Sequence, residues 1–284
     1  MTIALAIKVN DGLVLTTDSA TTITSAVHVP GQDLTLNVFN NEQKITHLHD
    51  FLPIGFMTWG LGVIQDHSIN WHAKEIRNRF MGVDQENLEW KIDADNYELN
   101  EVAVRVYEYF QNIFPVVDPN VTIAFGVLVG GYSANGGEPE VYTCVTSNTS
   151  ELKPPELTMP KKSVGSIWFG QPEAIFRLVR GASLKLPEAL KKLGVDESLI
   201  HPYAEAILRE TGTNLVWSGM PIQDAIDLAV FFANTSINFS RFNAGANTVA
   251  GPIDVAAITR HEGLKWVSRK HYYPIELNPK GSVK

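Results

Sequence analysis

The chain has 284 residues, 44% hydrophobic and 19% charged, enough for a sizeable core in one large or two small domains. Lys and Arg number 23 against 31 Asp and Glu, a formal charge of −8 that implies no strong counterion-release partner such as nucleic acid. No apolar run approaches the ~20 residues of a membrane helix; no basic and apolar leader opens the chain, and the single cysteine, Cys144, excludes an internal disulfide framework. A cytoplasmic globular protein is expected, with no membrane or nucleic-acid partner and no cofactor or metal.

In IALAIKV, Ile3, Leu5, Ile7 and Val9 alternate with Ala4, Ala6 and Lys8, the period-two pattern of a strand with one well-buried face. Asn10-Asp11-Gly12 supplies a turn, because Gly tolerates positive φ and Asp bonds its own backbone. LVLTTD follows as a second strand and completes a tight N-terminal hairpin. Residues 23–40 are polar and weakly patterned, an excursion able to hold a second hairpin. KITHL and IGFMTWG read as short strands.

Beyond Ile64 the period changes. Ile69, Ala73, Ile76 and Phe80 form a helical stripe, and Val102, Val106, Tyr109 and Ile113 form another within 97–114. VTIAFGVLVGGY and EPEVYTCVTS are strands joined by an Asn-Gly-Gly turn, and the Pro- and Lys-rich stretch 151–162 reads as a surface loop. SVGSIWFG runs as a strand into a helix beginning near Pro172, where the missing N–H costs nothing. Helical segments occupy 186–211. A long helix over 221–239 is expected to bury Ile222, Ile226, Ala229 or Val230, Ala233 and Ile237, and IDVAAITR and LKWVSR close the chain as strands before a short polar tail. No solenoid repeat or linker divides the sequence. Helices segregated from mainly antiparallel strands indicate an α+β layered domain.

Chemistry is sought first at the start of the chain. Thr2 follows Met1, and a small second residue permits aminopeptidase removal of that methionine. Thr2 then carries a hydroxyl and a free α-amine on one residue. The amine has an ordinary pKa of about 8, close to the working pH, so it can serve as the general base that a threonine nucleophile needs.

TIALAIKVNDGLVLTTDSATT, EQKITHL, TWGLG, GSIWFGQPEAIF, MPIQDAIDLAVFFA and GPIDVAAITR together resemble the proteasome β-subunit and its N-terminal-nucleophile relatives, above all the bacterial proteasome-like branch called Anbu. The resemblance is specific in the first twenty residues, around Lys44 and in the last third. It implies a four-layer αββα sandwich built as a single domain over 1–284, with elaborations at 23–40 and 130–162. It carries the nucleophile onto Thr2, the acid after the second strand onto Asp18, the lysine of the third strand onto Lys44, and the oxyanion N–H onto Gly60, with Gly62 as the alternative. Ser19 corresponds to a support residue. The implied physics is coherent: Lys44 adds positive charge beside Thr2, lowering the amine pKa and favouring the alkoxide, while Asp18 pairs with Lys44.

The resemblance further implies hydrolysis of a peptide or unfolded protein through an acyl-enzyme, a homo-oligomer arranged as a ring or open helical stack, and an unfoldase as an associated partner. Two other readings share the fold: an inactive ring or scaffold subunit, and a Thr-dependent amidase or acyl transferase. Where active relatives carry an Asp and a Ser after the late helix, this chain reads NFSRFNAGANTVAGPID, with no acid before Asp254; Ser240, Asn243 and Asn247 are the available substitutes.

The remaining candidates have plainer roles. His47, His49 and Asp50 have metal-ligand chemistry but read as surface polar positions, and Asp66, His67 and His72 lack ligand spacing. Cys144 reads as a small buried hydrophobe, and the six Trp as core or subunit contacts.

Overall fold

The computed structural model describes residues 2–24, 35–114, 124–146, 151–244 and 247–270. Met1, the middle of the 23–40 excursion, positions 121–123 and 147 of two expected strands and the polar tail lie outside the described residues. The N-terminal half contains strands β1 (Ile3–Val9), β2 (Gly12–Thr17), β3 (Thr21–Thr24), β4 (Thr35–Phe39), β5 (Ile45–His47), β6 (Ile54–Gly60), β7 (Val63–Ile64) and β8 (His67–Ser68), then helices α1 (Ile69–Phe80) and α2 (Leu99–Ile113). Strands β9 (Phe125–Gly131), β10 (Glu140–Val145), β11 (Glu156–Met159) and β12 (Gly165–Gly170) follow. Helices α3 (Glu173–Arg180), α4 (Leu186–Lys192), α5 (Glu197–Thr211) and α6 (Ile222–Phe242) precede β13 (Asp254–Thr259) and β14 (Gly263–Ser268).

The strands form two five-stranded antiparallel sheets, β12-β1-β2-β13-β14 and β11-β10-β9-β6-β5, with β3-β4 and β7-β8 as two-stranded ribbons. β3 and β4 pair antiparallel, with β3 beginning at Thr21, ahead of the expected 23–40 excursion. One expectation is corrected: the stretch 151–162 is not simply a surface loop, since β11 pairs with β10 and Met159 is buried.

β1 is buried along its whole length, on both faces rather than one. Ile3, Leu5, Ile7 and Val9 pack with Ile175 of α3 and Phe232 of α6, while Ala4 and Ala6 join a cluster with Leu13, Met57, Leu128 and Ile258 that draws on both sheets. A third cluster joins α1 and α2 to the second sheet through residues such as Ile76, Phe110 and Phe125. Small residues at Ala4 and Ala6 are what a strand facing another sheet closely requires.

α6 runs three residues beyond its expected end and buries Ala225, Phe232 and Ser236 besides Ile226, Ala229 and Ala233; Ile222 and Ile237 are only half-buried. The stripe is rotated toward Phe232 because that ring fills the space over β1 and β2. Among the described residues no helix is long and apolar enough to cross a membrane.

Lys8, on β1, is buried with its ammonium group on the carbonyl oxygens of Pro160 and Lys161. Burial pushes its pKa down to about 8, against the opposing pull of Glu138 and Glu140.

Two outcomes follow from this packing. Phe232→Ala is expected to cost about 3–5 kcal/mol by urea unfolding; a loss under about 1 kcal/mol would show that the ring is not a packing element. Between the folded pKa of Lys8, about 8, and its ordinary value of 10.5, the unfolded chain holds the extra proton, so Lys8's contribution to stability rises with pH. The unfolding free energy of the wild type should therefore gain on that of Lys8→Met across this window, and a flat difference would show that Lys8 is not desolvated.

Candidate active site

The hairpin register sets the first two site residues side by side. Ala4 opposes Thr17, which brings Asp18, just past β2, alongside Ile3 and Thr2. The end of β12 closes over the same point. Gln171 N–H donates to the Thr2 carbonyl at 2.7 Å, and Gly170 sits at φ +89° with a would-be Cβ only 1.9 Å from that oxygen. Any side chain there would strike Thr2, so glycine permits the approach.

Asp18 is fully buried and surrounded by donors. Its Oδ1 accepts from Thr2 Oγ1 at 3.0 Å, Ile3 N–H at 3.1 Å and Lys44 Nζ at 2.8 Å. Its Oδ2 accepts from Ala20 N–H and Ala250 N–H, both at 3.1 Å. Five donors therefore converge on the two oxygens of one buried side chain.

Lys44 enters immediately before β5, its backbone fixed by Thr58 N–H of β6. The ammonium group is buried and donates to the Thr2 hydroxyl, Asp18 and the Ala20 carbonyl, the last at 2.6 Å. Burial lowers its pKa; Asp18 and then Glu42 oppose that shift, and Lys270 adds to it. The Thr2 hydroxyl thus donates to a carboxylate and accepts from an ammonium group, inside a site from which water is largely excluded.

Gly60 ends β6 at φ +87°, where a Cβ would lie 2.0 Å from the Ala124 carbonyl oxygen. With Gly62, Thr21, Glu42 and Lys44 it lines a small cleft. A groove of about 660 Å³ between β12, α3 and α5 is much larger, but it contains none of these residues.

Ser19 also belongs to the assembly. Its Oγ donates to the Pro252 carbonyl at 2.5 Å and accepts from Lys270 Nζ at 2.6 Å, while Lys270 pairs with buried Asp254. The structure therefore brings together Thr2, Asp18, Lys44 and Ser19, and sets Gly60 and Lys44 on one cleft. Among the described residues, no hydrogen bond from Ser240, Asn243 or Asn247 reaches Thr2. The backbone N–H of Ala250 provides the link from that region.

Sequence reasoning missed Ala250, Glu42 and Lys270. A backbone donor has no residue signature, and Lys270 follows β14 with only its spacing from that strand to mark it.

The other candidates take structural roles. His47 Nε2 lies 2.9 Å from Asp50 and 2.7 Å from Arg77, and no cluster suited to a metal occurs among the described residues. His72 is buried against the Tyr109 hydroxyl and the Ile64 carbonyl. The Cys144 thiol is buried and pushed up to about 12. Trp59 stacks on Phe169 at 3.9 Å, whereas Trp71 and Trp217 are exposed.

No protein-family model matches this chain, and no curated protein matches it in sequence. Solved structures do. The helical assembly of the Anbu complex from Pseudomonas aeruginosa aligns over 95% of this chain and 88% of its own, at 14% identity and a TM-score of 0.52. Anbu (ancestral beta-subunit) from Yersinia bercovieri aligns over 95% and 89%, at 13% identity and the same TM-score. The resemblance read from the sequence is met at the level of the fold.

Backbone N–H or ammonium donors face both oxygens of Asp18, and only the Thr2 hydroxyl among its neighbours can also accept, so Asp18→Asn sets its amide N–H against at least one donor. The expected loss is on the order of 3 kcal/mol by urea unfolding. A loss below about 1 kcal/mol would mean that the carboxylate does not organise the site.

Proposed function

We propose that this chain is a proteasome-like threonine hydrolase of the N-terminal-nucleophile type, cleaving peptide bonds through an acyl-enzyme on Thr2 once Met1 is removed. The observation that carries the reading is the Thr2 hydroxyl held between the buried Lys44 ammonium and the Asp18 carboxylate. Hydroxyl, cation and acid at one buried point are what an activated oxygen nucleophile requires.

In the proposed reaction Thr2 Oγ1 attacks the carbonyl carbon of a peptide, and its proton passes to the Thr2 α-amine directly or through a water. Lys44 remains protonated and stabilises the developing alkoxide, while Asp18 holds Lys44 in place. The Gly60 N–H stabilises the oxyanion. The α-amine returns the proton to the leaving nitrogen as the C–N bond breaks, leaving an ester on Thr2. Water then attacks the ester, releasing the carboxylic acid and restoring the hydroxyl.

The same proposal reads the architecture as a four-layer αββα sandwich in one domain, supported by the three core clusters that join helices to each sheet and the two sheets to one another. A homo-oligomer, in a ring or open helical stack, is supported by Phe231 and Phe242, which stand exposed on α6, and by the helical assembly in which the Pseudomonas protein was solved. A reducing cytoplasmic setting suits the unpaired Cys144. The substrate class is peptide or unfolded protein, with an unfoldase as the partner that would deliver it.

Intact mass before and after incubation with a β-lactone probe tests the reading. The expected result is a mass lacking Met1 and one adduct that maps to Thr2 and is absent from Thr2→Ala. Retained Met1 without an adduct overturns the hydrolase and leaves a proteasome-shaped scaffold.

A further inference from the structure

A second buried lysine–carboxylate pair stands behind the first. Asp254 opens β13 opposite Thr17 of β2 and is fully buried. Lys270, two residues past β14, gives its backbone N–H to Asp254 Oδ1 at 3.0 Å and its ammonium group to Asp254 Oδ2. The same Nζ lies 2.6 Å from Ser19 Oγ, and both side chains of the ion pair are nearly or wholly enclosed. Ser19 adjoins Asp18 in the chain. Its N–H donates to the Ala250 carbonyl at 3.0 Å and its carbonyl accepts from Glu42 N–H at 3.0 Å.

Two lysines buried at one site are expensive, and one carboxylate would suffice to anchor the turn. Packing alone gives no reason for an ammonium group here, since a neutral polar side chain hydrogen-bonded to Ser19 would be easier to bury. The charges that face Lys270 are Asp254 on β13, together with Glu42 and Lys44 from the segment leading into β5. Beside Thr2 the charged neighbours are Asp18 and Lys44.

We infer that Lys270 and Asp254 form a positioning pair for the Thr2 site, holding the Asp18–Ser19 turn through Ser19 Oγ and setting a second positive charge behind Lys44. This rests on Thr2 being the nucleophile. The pair touches neither the hydroxyl nor a substrate; it acts through Ser19 and through the field at Lys44 and the Thr2 amine. A positive charge disfavours the protonated form of a neighbouring amine. Removing it therefore raises the pKa of the base and moves the ascending limb of the rate profile to higher pH.

The test is the rate of β-lactone labelling of Thr2 from about pH 6 to about pH 9.5, a range that spans the ordinary α-amine pKa. Wild type, Lys270→Gln, Lys270→Arg and Ser19→Ala are compared, each checked for folding by its urea midpoint. Lys270→Gln should label about ten-fold more slowly at neutral pH, with its ascending limb about one unit higher. Lys270→Arg keeps the charge and should restore the wild-type limb. Ser19→Ala loses the hydrogen bond but not the charge, so it should label more slowly with its limb unmoved.

A folded Lys270→Gln protein with the wild-type rate and limb overturns the inference and leaves the nucleophile reading standing. Equal slowing in Lys270→Gln and Lys270→Arg with no movement of the limb also overturns it, because that is packing alone. If Lys270→Gln does not fold, a wild-type rate in Ser19→Ala overturns the route through Ser19. A wild-type protein that takes no adduct on Thr2 overturns the nucleophile reading, and this inference with it.

Discussion

The structure depends on one buried carboxylate. Moving an ionised group out of water costs several kcal/mol unless charge and hydrogen bonds replace the lost hydration. Asp18 recovers that cost from Ala20 in its own turn and from three segments distant in sequence: Thr2 and Ile3 at the start of β1, Lys44 before β5 and Ala250 before β13. If any one segment moves away, the carboxylate is left short of a donor. The electrostatic requirement of one residue therefore holds the two sheets and the chain start in register.

The local backbone is shaped to permit this convergence. Gly170 and Gly60 both adopt positive φ at strand ends where another backbone passes within 2 Å of a would-be Cβ. Gly251 also has a positive φ, with the Asn40 carbonyl oxygen 2.6 Å and Ser19 Cβ 3.1 Å from a would-be Cβ. Each glycine ends or adjoins a segment that supplies the site. The strain that an L side chain would store at such positions is replaced by close main-chain contact.

Much of this could be read from residue order. The N-terminal hairpin, the two helical stripes and the closing strands are set by local period, and local period was enough. The elements that escaped were settled by tertiary contact. β11 is a strand because β10 offers it an edge, although its Pro- and Lys-rich flanks look like loop. Gly12 sits in an expected turn, yet its constraint is the Ile258 carbonyl 2.7 Å from its would-be Cβ, not its φ. Thr2, Asp18 and Lys44 were legible through resemblance, because one spacing binds all three to a hairpin and the strand that follows. No such spacing leads to Ala250, which acts by its backbone, or to Lys270.

Lys270 and Asp254 show why that limit matters for chemistry. The pair is assembled by β13 and β14 at the far end of the chain, and Asp254 looks from sequence like an acid misplaced inside a strand. Its carboxylate is engaged by the backbone N–H and ammonium group of Lys270. What it does is hold the Lys270 ammonium group against Ser19 Oγ. The absence of an acid before Asp254 is then no simple deficit. The region after α6 contributes to the site through the Ala250 N–H on Asp18 and through a cation held one residue away, so support reaches Thr2 by a different route from a direct side-chain contact.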